Sequence, residues 1–171
     1  EVSPDGEWIA FLRDRTELVI KYTKDGSEKS LLKNIYYSYS DVDLSFSWSP
    51  DSKYLLSDYM GDGRWNNCDI CLVDIESGEV TDLTRSGYAD GNFKWALKGH
   101  AMVWKSDKYG FRSHGSWGAE DDILIMFFDG PEMAKFHQDK EDEEIARLIA
   151  EGGKSDKEKA KEEKKEKKDS I

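Results

Sequence analysis

Apolar residues come in short runs along most of this chain, and the runs predict β-strands. Residues 44–48 alternate apolar and polar side chains, whereas Tyr54-Leu55-Leu56 is continuously apolar. Strict alternation is typical of a strand with one buried face, and a short continuous run fits a strand covered on both faces. Residues 69–73 and 122–126 are further apolar runs of strand length. The pattern therefore predicts sheets whose middle strands lie between neighbouring sheets.

A turn motif recurs between these runs. Ser3-Pro4-Asp5-Gly6 is repeated as Ser49-Pro50-Asp51-Ser52, and a degraded third copy is Ala96-Leu97-Lys98-Gly99. Proline presets φ, Asp bonds its own backbone, and Gly accepts a positive φ, so the motif is a turn. Position 4 corresponds to 50 and 50 to 97, which gives steps of 46 and 47 residues. Strand-like repeats of about 40–50 residues are the signature of propeller blades.

Each unit follows the same order of elements. A strand, the turn motif and a second strand are followed by a variable loop, a third strand, a tight turn and an outer strand. Asp-Gly and Ser-Gly steps between apolar runs predict the tight turns at 25–26, 76–78 and 129–130. Four antiparallel strands make a propeller blade. We therefore predict an all-β fold, a partial β-propeller of about three four-stranded antiparallel blades that is incomplete at both ends, with a C-terminal charged helix.

The predicted domains follow from these units. The blades cover about 1–34, 43–85 and 93–131, the first without its innermost strand, and a helical segment covers 132–151. Ile145, Leu148 and Ile149 have helical spacing there. Residues 152–171 are almost wholly Lys and Glu and are predicted to be a charged linker. Because a propeller needs at least about four blades to close, we expect this chain to be a piece of a larger protein.

The loops between the second and third strands predict a binding face. Connections in an up-and-down sheet alternate between its ends, so these loops lie at the end opposite the turn motifs. Loops carry binding residues more often than scaffolds do, and aromatic side chains with Arg are typical of contact hot spots. The alternative is that the same side chains pack the loops onto neighbouring blades. The candidate binding residues of this loop face are Arg64, Trp65, Tyr109, Phe111, Arg112, His114 and Trp117.

Charge limits the partners. The net charge is −11, with 36 acidic against 25 basic residues, whereas nucleic-acid binding depends on Lys and Arg at phosphates. No apolar run approaches the roughly 18 residues of a membrane helix. We therefore predict no nucleic-acid and no membrane partner, and a homo-oligomer stays open.

Catalytic and metal-binding motifs are weak. Ser116 lacks the glycine that a nucleophile elbow needs two residues before the serine, because His114 occupies that position. Cys68 and Cys71 have no second cysteine pair to complete a zinc site, and we interpret them as packed thiols. A cation could be ringed by Asp58, Asp62, Asn66 and Asp69, but their spacing departs from the calcium-loop pattern. We predict no catalytic residue, no metal and no cofactor in this chain.

The Ser-Pro-Asp-Gly turns with their following strands resemble TolB-like propeller repeats. Residues 104–115, followed by Met126-Phe127-Phe128-Asp129, resemble the propeller of bacterial tricorn-like serine peptidases. That resemblance implies a non-catalytic segment that gates or docks peptides or unfolded proteins for a protease core elsewhere in the parent chain. Its partners would be the remaining blades and that core. It also implies a periplasmic or secreted protein, with the cytoplasm as the alternative. A TolB-like periplasmic protein-binding scaffold, or the propeller cap of a prolyl-oligopeptidase-like hydrolase, are the other interpretations.

Overall fold

Three antiparallel sheets form the first of two units of the computed structural model, Glu1–Phe128; the second unit is Asp129–Ile171. The structure describes residues 1–33, 45–61, 67–111 and 118–149. Within each sheet, strands that are neighbours in sequence are hydrogen-bonded neighbours in space. Sheet 1 contains β1 (Trp8–Arg13), β2 (Glu17–Tyr22) and β3 (Glu28–Lys33); sheet 2 contains β4 (Phe46–Trp48), β5 (Tyr54–Tyr59), β6 (Asp69–Asp74) and β7 (Val80–Asp82); sheet 3 contains β8 (Asp90–Ala96), β9 (Ala101–Ser106) and β10 (Asp122–Phe127).

This arrangement confirms the predicted partial propeller. Sheet 2 is a complete four-stranded blade. Sheet 1 keeps only the end of an innermost strand, where the Glu1 amino group donates to Ala10 O at 2.7 Å and Val2 bridges Ile9. Sheet 3 begins at Asp90, inside the stretch predicted to connect two blades. The chain is therefore an arc of blades that is incomplete at both ends.

Two apolar clusters join the sheets. Leu55 and Cys71 of sheet 2 belong to the cluster shared with sheet 1, whereas Leu56 and Ile70 belong to the cluster shared with sheet 3. All four side chains are completely buried. Adjacent strand residues point to opposite faces, which explains why the apolar runs of β5 and β6 do not alternate. Burying an aliphatic side chain of this kind stabilises the fold by roughly 1.5–3 kcal/mol.

The first two turn motifs have the same hydrogen bonds. Ser3 Oγ donates to Asp5 at 2.6 Å, and Ser49 Oγ donates to Asp51 at 2.7 Å. Each hydroxyl also accepts a backbone N–H from five residues further along, at 2.9 Å in both copies. The bond from the serine hydroxyl is the main cause that lowers the pKa of Asp5 and of Asp51. The sequence repeat is thus a repeat of local structure.

The fourth position of the motif links the turns to each other. Gly6 has φ +75°, and Ser52 has φ +63° in the same left-handed region, which is unfavourable for a side chain. Ser52 Oγ accepts the backbone N–H of Asp5 from the turn of sheet 1 at 3.1 Å. In the degraded copy, a Cβ added to Gly99 would lie 3.2 Å from Pro50 Cδ. The three turns therefore line one end of the arc.

The second unit is helical over most of its described part. Helix α1 covers Gly130–Phe136, and residues 140–149 form helix α2. The prediction of a tight turn at Asp129-Gly130 is wrong, because the Asp129 side chain caps α1 by accepting the N–H of Glu132 at 2.8 Å. Asp at this position serves a turn or a helix N-cap equally well, and Pro131 suits the first helical turn, where its missing N–H costs nothing.

Candidate functional site

Of the seven candidate binding residues of the loop face, the structure describes two, Tyr109 and Phe111. The side chains of Tyr109 and Phe111 are 70% and 75% exposed, which is unusual for aromatic rings. The Lys108 Nζ lies 5.2 Å from the centre of the Tyr109 ring. The other five candidates, Arg64, Trp65, Arg112, His114 and Trp117, lie outside the described residues.

Tyr109 and Phe111 flank Gly110 in the third loop, the connection between β9 and β10. At Gly110 the two stems of this loop approach each other closely, and we call this point the neck of the loop. A Cβ added to Gly110 would lie 1.7 Å from the carbonyl oxygen of Glu120, so only glycine fits at this position. Glu120 also donates its N–H to Phe111 O at 3.0 Å. These contacts bring the two stems of the loop together. Tyr109 and Phe111 therefore extend from a backbone that is held in place.

A group of buried aspartates lies beneath the loops, and the sequence reasoning did not identify it as a group. The members are found at or next to strand ends opposite the turn motifs and are at most 7% exposed. The sequence signal that could have revealed the group is an aspartate at or next to the loop end of each of the strands β5, β6, β8 and β9. In the part of the chain that the structure describes, no three His, Cys, Asp or Glu side chains form a metal-binding group. The group comprises Asp58, Asp69, Asp90 and Asp107.

Asp69 and Asp90 are joined through one serine. Trp104 Nε1 donates to Asp90 Oδ1 at 2.9 Å, and the Ser86 hydroxyl donates to the other oxygen of that carboxylate. The Ser86 N–H donates to Asp69 Oδ1 at 3.0 Å, and Thr84 Oγ1 donates to the same oxygen at 3.3 Å. Burial raises the pKa of Asp69, and the bond from Ser86 partly offsets this rise. The chain of bonds connects sheets 2 and 3 at the base of the loops.

Asp58 is the member whose hydrogen bonding is incomplete. Its Oδ2 accepts the N–H of Ser45 at 3.0 Å, whereas its buried Oδ1 has no partner among the described residues. A Cβ on Gly91 of β8 would lie 3.7 Å from that oxygen, so the carboxyl faces the neighbouring sheet. Burial raises the pKa of Asp58 to about 7. The interface between sheets 2 and 3 thus contains a carboxyl that titrates near neutral pH.

Neither cysteine is activated. Cys71 is a free thiol that is completely buried in the cluster between sheets 1 and 2. Burial raises its pKa far above the ordinary range of thiols. Burial, followed by the charges of Asp58 and Asp69, raises the pKa of Cys68 to about 11. Because the thiolate is the reactive form, these environments fit packed thiols.

Comparison with solved structures identifies the class of fold as β-propeller. A protein described as a TolB from Agrobacterium tumefaciens has a TM-score of 0.52 at 19% identity, over 74% of this chain and 44% of that one. The tricorn protease has a TM-score of 0.55 at 12% identity, over 74% of this chain and 13% of that one. TolB from Acinetobacter baumannii has a TM-score of 0.49 at 20% identity, over 74% and 28%.

These comparisons extend to the fold and no further. The likenesses with TM-scores of 0.52 and 0.55 show a shared architecture. They do not show a shared function, because one fold hosts many functions. The chain spans less than half the length of each of these three structures. No protein-family model matches the chain, and no curated protein matches it significantly. Among the residues that are described, no helix is both long and apolar enough to cross a membrane.

Proposed function

We propose that this chain is a non-catalytic propeller segment of a tricorn-like serine peptidase, and that its loop face docks or gates peptide substrates. Catalysis belongs to a protease core outside the chain, so the parent is a hydrolase. The remaining propeller blades and that core are its partners in the same polypeptide. The parent acts in the periplasm or outside the cell, where it takes peptides or unfolded proteins as substrates.

The exposed aromatic pair at the neck of the third loop carries this proposal. Tyr109 and Phe111 present large apolar surfaces to solvent from a backbone fixed by the Gly110–Glu120 approach. Aromatic anchors on a held backbone lose little conformational entropy when they bind a partner, which favours recognition of peptides. The net charge of −11 favours association with substrates that carry positive charge.

Peptide binding by the full-length parent tests the proposal. We expect Tyr109→Ala and Phe111→Ala, like Arg112→Ala and Trp117→Ala on the same loop, to raise the Kd for an unstructured basic peptide by about tenfold each, or about 1.4 kcal/mol. Leu97→Ala is the matched control, because Leu97 is a 39% exposed apolar residue in the turn at the other end of the arc. Unchanged affinity in all four loop variants would remove the loop face from the proposal.

The same measurement separates the alternative functions. A TolB-like scaffold without an attached enzyme would bind a folded protein instead of a peptide, and the loop variants would affect that binding. The cap of a prolyl-oligopeptidase-like hydrolase would belong to a parent whose core is an α/β-hydrolase. Fractionation of the producing cells tests the proposed location, with recovery in the cytoplasm as the contrary result.

A further inference from the structure

The interface between sheets 2 and 3 is apolar in its middle and polar at the strand ends opposite the turn motifs, which we call its loop end. Leu56, Ile70 and Met102 are completely buried in the cluster that joins the two sheets. Asp58, two residues beyond Leu56 on β5, lies on the same face of the strand. A region that buries little apolar surface opens at a lower free-energy cost than the rest of a structure. The loop end is therefore where these two sheets can separate locally.

Asp58 is bonded to its own sheet through one carboxyl oxygen and faces the other sheet with the second. Its Oδ2 accepts the N–H of Ser45 at 3.0 Å, and its own N–H donates to Ser45 O at 3.1 Å. Its buried Oδ1 has no partner among the described residues, and a Cβ on Gly91 of β8 would lie 3.7 Å from it. An ionised carboxylate is destabilised by such a position far more than a protonated carboxyl, because it has lost water without gaining a donor.

No cation compensates a charge on Asp58. None of the ion pairs between described residues includes this carboxyl. Lys94 and Lys105 of sheet 3 are exposed, and Lys105 is paired with Asp121 at 2.7 Å. The strand end before β5 contributes Ser45, which carries no charge. The titratable groups that are buried or half-buried on the elements around Asp58 are all acids or thiols: Cys68, Asp69 and Cys71 at β6, Asp90 at β8, and Asp107 after β9.

The bonds that close the loop end are polar. The N–H of Asp90 in sheet 3 donates to Cys68 O in sheet 2 at 3.0 Å, and Asn67 Nδ2 donates to Gly87 O at 3.1 Å. Water can replace either partner when the sheets separate, so opening loses little hydrogen bonding. Opening also gives water access to the second oxygen of Asp58. The balance between the closed and open forms therefore depends on whether Asp58 is ionised.

We propose that the loop end of the interface between sheets 2 and 3 is a proton-controlled joint, which closes when Asp58 is protonated and opens locally when Asp58 is ionised. Burial raises the pKa of Asp58 to about 7 in the closed form, whereas the hydrated carboxyl of the open form has its ordinary value. The closed form thus retains a proton that the open form releases. Opening becomes more frequent as pH rises from about 4 and levels off above about 7. The joint does not depend on the proposed loop-face function.

Amide hydrogen exchange of the 171-residue chain, followed by NMR between pH 5 and 8, tests the joint. We expect the protection factor of the Asp90 N–H to fall about tenfold per pH unit between pH 5 and 6.5 and to level off above pH 7. Low urea should change this protection little, because a local opening exposes little surface. The control is the Asp5 N–H, which bonds to Ser52 Oγ between sheets 1 and 2 at 3.1 Å. Its protection factor should not follow the titration of Asp58.

Gly91 offers a test that adds the missing donor. The Oγ of Gly91→Ser can reach Asp58 Oδ1, because the Cβ lies 3.7 Å from that oxygen and Gly91 has no positive φ. A donor to the carboxylate favours its ionised form in the closed interface, so the fall in Asp90 protection between pH 5 and 7 should become at least about tenfold smaller. Gly91→Ala is the matched control, because it adds the same Cβ without a donor, and it should keep the native pH dependence.

Asp58→Asn keeps the size of the side chain and carries the test even where a Gly91 variant does not fold. It should remove the pH dependence at Asp90 apart from the contribution of Asp69, whose pKa burial also raises. Three results would overturn the proposal: Asp90 protection that does not change with pH, protection that falls with urea as steeply as that of the whole chain, or the native pH dependence in Asp58→Asn. The second result would mean that Asp90 exchanges only when the chain unfolds.

Discussion

The indole N–H of Trp95 donates a hydrogen bond to the backbone carbonyl of Ser47, 3.1 Å away in the preceding sheet. One repeat earlier, Trp48 makes the same bond to Glu1 O at 3.4 Å. Each bond joins the innermost strand of one sheet to that of the sheet before it. The repeat thus conserves a contact between blades as well as the fold within a blade.

Replacing Trp95 by Phe should destabilise the chain by about 1 kcal/mol, because the ring stays while the donor to Ser47 O is lost. The measurement is the midpoint of urea unfolding at constant m-value. Trp8→Phe is the control, since this indole packs against the Tyr22 ring at a tilt of 47°, with the ring centroids 4.9 Å apart. Equal effects of the two substitutions would show that the Trp95 bond contributes nothing.

Ser52 has two opposing contributions that two substitutions separate. Ser52→Ala should cost about 1 kcal/mol, because it removes the acceptor for Asp5 N–H and keeps a side chain at positive φ. Ser52→Gly loses the same bond but relieves the backbone, so its unfolding free energy should be nearly that of the native chain. Thermal or urea unfolding of both variants provides the comparison. An alanine variant as stable as the glycine variant would mean that the link between the turns is weak.

Asp58 should make the chain less stable as pH rises from about 4 to 7. Its pKa in the folded chain is about 7, against 3.8 ordinarily. The folded state therefore retains a proton that the unfolded state has already released, and stability falls with pH across this window. Three pKa units correspond to a loss of up to about 4 kcal/mol. Asp58→Asn should flatten the dependence, as measured by urea unfolding at several pH values.

The carboxylates of the two turn motifs do not contribute to the pH dependence of stability between pH 4 and 7. The pKa values of Asp5 and Asp51 are lowered, so their contribution is present above the unfolded value and is lost only as pH falls through their folded values. Asp69 has a raised pKa and acts in the same direction as Asp58. Asp14→Asn, in a turn of sheet 1, is the control. A variant at Asp58 with the native pH profile would contradict the burial argument.

Gly110→Ala should open the neck of the third loop. Its Cβ would overlap the carbonyl oxygen of Glu120, so the backbone must move and the bond between Glu120 and Phe111 should break. We expect faster amide exchange at Glu120 and a stability loss of about 1–3 kcal/mol. Gly118→Ala is a matched control on the same loop, because nothing lies within 4 Å of its added Cβ. Slow exchange at Glu120 in the Gly110 variant would contradict a neck held by this contact.

Local patterns in the sequence predicted the sheets but not the group of buried aspartates at the loop ends of their strands. Residues 49–52 predicted a turn because Pro and Asp act within four residues, and the structure confirms it. Asp58, Asp69 and Asp90 are far apart in sequence, and the bonds that connect Asp69 with Asp90 form only when β6 and β8 lie in adjacent sheets. At Asp129 the local pattern was ambiguous, because an Asp side chain suits a hairpin turn and a helix N-cap equally well. The sequence therefore predicted a turn where the structure has the start of helix α1.

The amino-acid order alone determined that the chain builds sheets of one design, because turn chemistry and strand periodicity act over a few residues and recur at a fixed step. Only the tertiary structure decided that the buried Oδ1 of Asp58 lies at the interface of sheets 2 and 3 without a partner among the described residues, and that β10 is the edge strand of sheet 3 within the described ranges. Both depend on which strands become neighbours, and long-range packing decides that.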